Sequence, residues 1–131
     1  MSDKRIKGLA HVNLTVRDMD RSLDFYCNTL GFENIYEFSG MGNRCAFIKL
    51  STCVIELHQC PEYDETLKDG HFEHIALAVE DIEGLAQMFR EKGVRFETEA
   101  VLGSPRIWPN GSKWILFRGP DNELLELNEI L

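Results

Sequence analysis

The chain has little positive charge: across 131 residues, 14 Lys and Arg stand against 22 Asp and Glu, a formal net charge of −8. No basic face is available to neutralise phosphates, which argues against nucleic acid as a partner and against an anionic membrane surface. Long apolar runs are also missing, and nothing approaches the roughly 20 residues needed to span a bilayer. The opening MSDKRIKGLA has no apolar stretch behind its charges, so no signal peptide is expected and the protein reads as cytoplasmic. There is no CxxC spacing. Cys27, Cys45, Cys53 and Cys60 lie in or beside apolar runs and are expected to be reduced, half-buried thiols.

What remains is a soluble globular composition, with 44% apolar and 27% charged residues, at a length that suits one compact domain. Residues 9–16, LAHVNLTV, alternate with the period of a half-buried strand: Val12, Leu14 and Val16 on one side, His11, Asn13 and Thr15 on the other. A helix follows, with Asp18 or Asp20 as N-cap, Met19, Leu23, Tyr26 and Leu30 on its stripe and Gly31 as its stop. Apolar runs at 32–38, 44–50 and 53–60 read as three strands. Residues 61–70, PEYDETLKDG, are acidic and bounded by Pro and Gly, and read as a connector.

After the connector the order repeats. EHIALAV is a strand, Asp81 a cap, and IEGLAQMFREKG a helix with Ile82, Leu85, Ala86 and Phe89 on one stripe; VRFETE, SKWILFRG and ELLELNEI are three strands. A shift of 63 residues, the distance from His11 to His74, also superposes Leu14 on Leu77, Val16 on Val79, Asp18 on Asp81 and Tyr26 on Phe89. Near the module ends VIEL (54–57) corresponds to LLEL (124–127), which brings Glu56 onto Glu126. Two copies of this length suggest a duplicated module rather than a solenoid, with module one at 7–60 and module two at 71–131 of a single 1–131 domain.

Each module thus offers one histidine at its first strand and one glutamate in its last. Alternation puts His11, His74, Glu56 and Glu126 on the face that the helices do not cover. If both sheets curl round one pocket, two carboxylates meet there and repel unless a proton or a cation lies between them. A divalent metal resolves this economically, and imidazole with carboxylate suits Ni, Co, Fe, Mn or Zn without selecting among them.

The doubled βαβββ pattern, with HVNLTVRDMDRSLDFYCNTLGFE, VIELHQ, HIALAVEDI and GPDNELLEL, resembles the vicinal oxygen chelate superfamily over essentially the whole chain. The resemblance implies an α+β fold in which two tandem βαβββ modules form a curved mixed sheet around a metal pocket, and a homodimer. The His, Glu, His, Glu order is most similar to glyoxalase I. That likeness implies that His11, Glu56, His74 and Glu126 bind the metal, and that Glu126 or Glu56 moves a proton between adjacent carbons of a small hemithioacetal or α-hydroxycarbonyl through an enediolate. Thr15 stands where glyoxalase I commonly has an arginine for a glutathione carboxylate, and Cys60 where it has asparagine; both replacements remove glutathione contacts. A metal-dependent epimerase or dioxygenase of the same superfamily, or a protein that only sequesters a small molecule, are the alternatives.

Further candidates for substrate contact are His58, on the face of Glu56, Arg106 and Trp108 in the irregular stretch 101–111, a lid or a dimer contact, and Arg118 before the GPDN turn. Arg44 is another cation to consider for an anionic substrate group. His71 and Glu73 precede His74, and neither is expected to ligate. In GPDN, Asn122 takes a place where glycine is usual, as the residue that next best tolerates positive φ.

Overall fold

The structure is a computed structural model describing residues 5, 9–40, 42–63, 69–70 and 72–131. The chain divides into two compact units, Met1–Tyr63 and Asp64–Leu131. In the first, β1 (Val12–Val16), α1 (Met19–Leu23, continuing as a π-helical segment Asp24–Thr29), β2 (Glu33–Gly40), β3 (Asn43–Leu50) and β4 (Cys53–Gln59) form a mixed sheet of order β1-β4-β3-β2. In the second, β5 (Ile75–Ala78), α2 (Ile82–Glu91), β6 (Arg95–Phe96), β7 (Leu102–Ser104), β8 (Ser112–Arg118) and β9 (Leu124–Ile130) form a mixed sheet of order β5-β9-β8-β6, with β7 also paired to β8. The strands therefore make two mixed sheets, one per unit, rather than one continuous sheet.

Both modules set their first strand parallel to their last, and in the same register. Asn13 lies opposite Glu56 in unit one and Ala76 opposite Glu126 in unit two, so the 63-residue shift of the first strand and the 70-residue shift from Glu56 to Glu126 are the same structural correspondence. The additional residues of module two fall at its sheet edge. Where β2 is one strand of 8 residues, the expected strand 94–99 pairs only at Arg95–Phe96, leaves β8 after Glu97, and the edge resumes as β7. Turn 105–111 then separates β7 from β8.

The apolar stripes face inward as the periodicity requires. Ile55 and Leu57 of β4 are buried with Val16, Met19 and Tyr26, and Leu125 and Leu127 of β9 are buried with Ile82, Ala86 and Phe89. The first helix departs from the expected stripe: Met19, Ser22 and Tyr26 are fully buried, while Leu23 and Leu30 are only half-buried. Ser22, not Leu23, takes the buried place between Met19 and Tyr26, and Leu30 lies just beyond the π-helical segment Asp24–Thr29. Gly31 (φ 87°) and Gly93 (φ 81°) end the two helices in the left-handed conformation that a Cβ disfavours.

Helix starts are also duplicated. Asp18 and Asp81 cap α1 and α2 by accepting from the Arg21 and Gly84 N–H groups. A residue three beyond each glutamate adds a second tie: Met19 N–H donates to Gln59 Oε1 at 2.7 Å, and Ile82 N–H to Glu129 Oε1 at 2.9 Å. Each helix is thus anchored to the strand that carries Glu56 or Glu126. Asp81 caps from positive φ (50°). Asp81→Ala, which loses the cap and keeps the Cβ strain, is expected to cost about 1–2 kcal/mol in urea denaturation. Asp81→Gly is expected to cost less than half of that because glycine relieves the strain, and equal costs would show that φ is immaterial here.

The four described cysteines are free. Cys45 is buried and Cys27 and Cys60 half-buried as expected, but Cys53, which opens β4 next to the Ser51-Thr52 turn, is exposed. Burial pushes the Cys27 thiol up from its ordinary range, and Glu37 adds to that.

Candidate functional site

His11 lies just before β1, two residues ahead of Asn13 and therefore on the same side of the sheet. Because Asn13 lies beside Glu56, the imidazole reaches that carboxylate, with Nε2 3.1 Å from Oε1. Phe47, opposite Glu56 on β3, meets the His11 ring edge-on at 5.4 Å between centroids. The same arrangement recurs in unit two: His74 lies two residues ahead of Ala76, and its Nε2 is 3.4 Å from Glu126 Oε1. Glu126 is the more enclosed carboxylate, its side chain 12% exposed against 19% for Glu56. Buried Ile55, Leu57, Leu125 and Leu127 lie on the opposite face, as the alternation requires.

Two further residues act on unit two. Glu73 Oε1 lies 3.2 Å from His74 Nδ1, the ring nitrogen turned away from Glu126. A carboxylate at Nδ1 orients the ring and leaves Nε2 directed toward Glu126. Asn128 Nδ2 donates to Glu126 Oε2 at 2.7 Å. Sequence reasoning missed Asn128; its only signal was its position two residues beyond Glu126 on the same strand face.

The donor set can be tested against a metal by its own spacing. Two ligands bound at right angles to one ion at about 2.1 Å lie about 3 Å apart, which is the separation found in each imidazole–carboxylate pair. Two nitrogen and two carboxylate oxygen donors suit a divalent first-row ion. Among the described residues, no group of three or more His, Cys, Asp or Glu that could hold an ion is assembled, so each pair by itself is an incomplete ligand set.

The remaining candidates separate clearly. His58, half-buried on β4, lies between Thr15 of β1 and Cys45 of β3, on the face of Glu56. Arg118 is committed internally: Nη1 and Nη2 donate to Asp69 at 2.8 and 3.3 Å, Nη1 to the Asn122 carbonyl at 3.0 Å, and Nε to Glu97. Those carboxylates, Asp69 first, raise the guanidinium's pKa further, and the bonds join the GPDN turn, Glu97 beyond β6 and Asp69 to β8. Asn122 adopts φ 65°, as its place in that turn requires. Arg44 is likewise engaged by Asp20 and Glu37. Arg106 and Trp108 lie exposed in turn 105–111, Trp108 at φ 66°. His71 lies outside the described residues.

Two βαβββ modules in one chain, each presenting a histidine–glutamate pair from its parallel first and last strands, define a duplicated α+β protein with a matching pair in each unit. The chain belongs to the Glyoxalase/Bleomycin resistance protein/Dioxygenase superfamily, whose family model matches residues 8–127. It is similar to a probable lactoylglutathione lyase of Synechocystis sp., 32% identical over 131 residues that cover 91% of this chain and 92% of that protein. Among solved structures it resembles a glyoxalase family protein from Enterococcus faecalis (24% identity, 95% of this chain and 99% of that one, TM-score 0.77). It also shares its fold with the fosfomycin resistance protein FosX from Listeria monocytogenes complexed with Mn(II) and sulfate (21% identity, 96% and 94% coverage, TM-score 0.74). Among the described residues no helix is long and apolar enough to cross a membrane.

Proposed function

We propose that this protein is a metal-dependent lyase of the glyoxalase I type, which moves a proton between adjacent carbons of a small hemithioacetal or α-hydroxycarbonyl. The observation that carries the reading is the doubled pair: both modules bring an imidazole nitrogen and a carboxylate oxygen to 3.1–3.4 Å at the same strand register. The similarity to a probable lactoylglutathione lyase supports the same class. His11, Glu56, His74 and Glu126 would hold a divalent ion, Ni, Co, Zn, Mn or Fe. Bound there, such an ion supplies Lewis acidity, which lowers the cost of the negative charge that develops on substrate oxygen.

The chain's own groups do the rest. A glutamate carboxylate takes the proton from one carbon, holds it and returns it to the next, which an isomerisation allows a single base to do. Glu126 is the better placed, being enclosed and oriented from Oε2. Thr15 offers no guanidinium, so a thiol adduct would be bound without the two-bond grip on a carboxylate that arginine gives. A second reading, sequestration of a flat apolar compound, is favoured by one feature. Tyr36, Phe38 and Phe47 stack in a row at 6.0 and 5.5 Å between centroids, next to His11.

Metal analysis of protein purified without chelator, with melting curves with and without EDTA, tests the proposal. A site filled at a hundred times its Kd adds about 2.7 kcal/mol, so EDTA is expected to lower the Tm by several degrees and a divalent ion to restore it. Metal-free protein indifferent to chelator overturns the reading. Methylglyoxal assayed with glutathione and with other thiols then separates turnover from sequestration: binding without turnover moves the function to the second reading.

A further inference from the structure

We propose that Asn128 is a positioning residue for the Glu126 carboxylate, and that through it two modules of equal register carry unequal glutamates. The inference rests on the metal-centre reading above. The terminal torsion of a glutamate is soft, so an unheld carboxylate turns freely about its last bond. In unit two this freedom is removed, because the 2.7 Å bond from Asn128 Nδ2 occupies Oε2 and leaves Oε1 directed toward His74 Nε2. The backbone that carries the amide is fixed in the sheet: Asn128 sits in β9 between Ala78 of β5 and Trp114 of β8, and its main-chain carbonyl accepts from the Val79 N–H at 3.0 Å.

The duplication supplies an internal control. The residue two beyond Glu56 is His58, flanked by Thr15 and Cys45 in the same relation, and among the described residues Glu56 meets His11 without an amide on its second oxygen. The register is shared, and at the position two beyond the glutamate an amide in unit two stands where unit one has an imidazole. Glu126 is the oriented carboxylate of the pair, and Asn128 is the residue that orients it.

The test uses the full chain with Co(II), whose visible absorption reports ligand geometry, and two variants. Asn128→Asp keeps the shape and replaces the donor by a charge, and Asn128→Leu keeps the volume and removes all polarity. Both are expected to bind Co(II) ten- to a hundredfold more weakly, with an altered visible band and with kcat falling more than KM rises. Melting in EDTA separates loss of fold from loss of orientation, and should one variant fail to fold the other decides. Variants that bind Co(II) with the wild-type affinity and spectrum overturn the role of Asn128 and leave the metal reading standing. A wild-type protein that takes up no Co(II) overturns both.

Discussion

Glu126→Gln is expected to lower kcat by about 10²–10⁴-fold, the contribution of a positioned general base, while retaining more metal than His74→Ala does. The two variants remove different things from one pair. Glutamine keeps the length of the side chain and a neutral oxygen that can still face His74 Nε2, now 3.4 Å from Glu126 Oε1, but it cannot accept and return a proton. Alanine at 74 removes a nitrogen donor outright, and with it the ring that Glu73 holds at 3.2 Å from Nδ1. Metal content after dialysis and steady-state kinetics on the same preparations check the prediction. Equal loss of metal in both variants would show Glu126 to be needed mainly as a ligand, and would pass the proton to Glu56.

The second large effect lies in the core beneath that pair. Phe117 of β8 is fully buried, pairs with Leu125 next to Glu126, and packs its ring against Phe89 of α2 at 5.7 Å and Phe96 of β6 at 5.9 Å. Phe117→Ala is therefore expected to destabilise the protein by about 3–5 kcal/mol, since its neighbours are held by a sheet and a helix that cannot collapse into the cavity. Phe72→Ala, at a ring 95% exposed, is expected to change stability by no more than about 0.5 kcal/mol. Urea midpoints at constant m check both. A cost at Phe117 below about 1.5 kcal/mol would mean that the site closes up, and that α2 is not clamped to β8 as its packing implies.

Much of this was legible beforehand because it is local. The alternation around His11 and His74 specified which side chains share a face, and the parallel registers Asn13 with Glu56 and Ala76 with Glu126 bear that alternation out. Asp18 and Asp81 as caps, Gly31 as a stop and Asn122 at positive φ follow from short-range sterics and hydrogen bonding of the same kind. The misreadings occurred where neighbours override local pattern. The stripe through Leu23 and Leu30 took the larger apolar residues for the buried ones, whereas Ser22 is buried between Met19 and Tyr26, and Leu30 follows the π-helical segment. VRFETE has the composition of a continuous strand, yet its pairing ends at Phe96, and the edge is completed by residues from 102 onward.

Arg118 shows the limit most plainly. From the chain alone it is a cation on the strand before the GPDN turn and a candidate for an anionic substrate group, and in the fold it donates to Asp69, Glu97 and the Asn122 carbonyl. By itself the sequence determined the duplicated module, the buried stripes and the four side chains worth testing, because strand alternation and helix caps are written in residues a few places apart. Only the tertiary structure decided what each of those four touches: Glu73 on the far nitrogen of His74, Asn128 on the second oxygen of Glu126, Phe47 against His11, and His11 Nε2 on Glu56. Contacts of that kind depend on rotamers and on cross-strand neighbours, and a period of two in the sequence says which face a side chain joins without saying which atom it meets there.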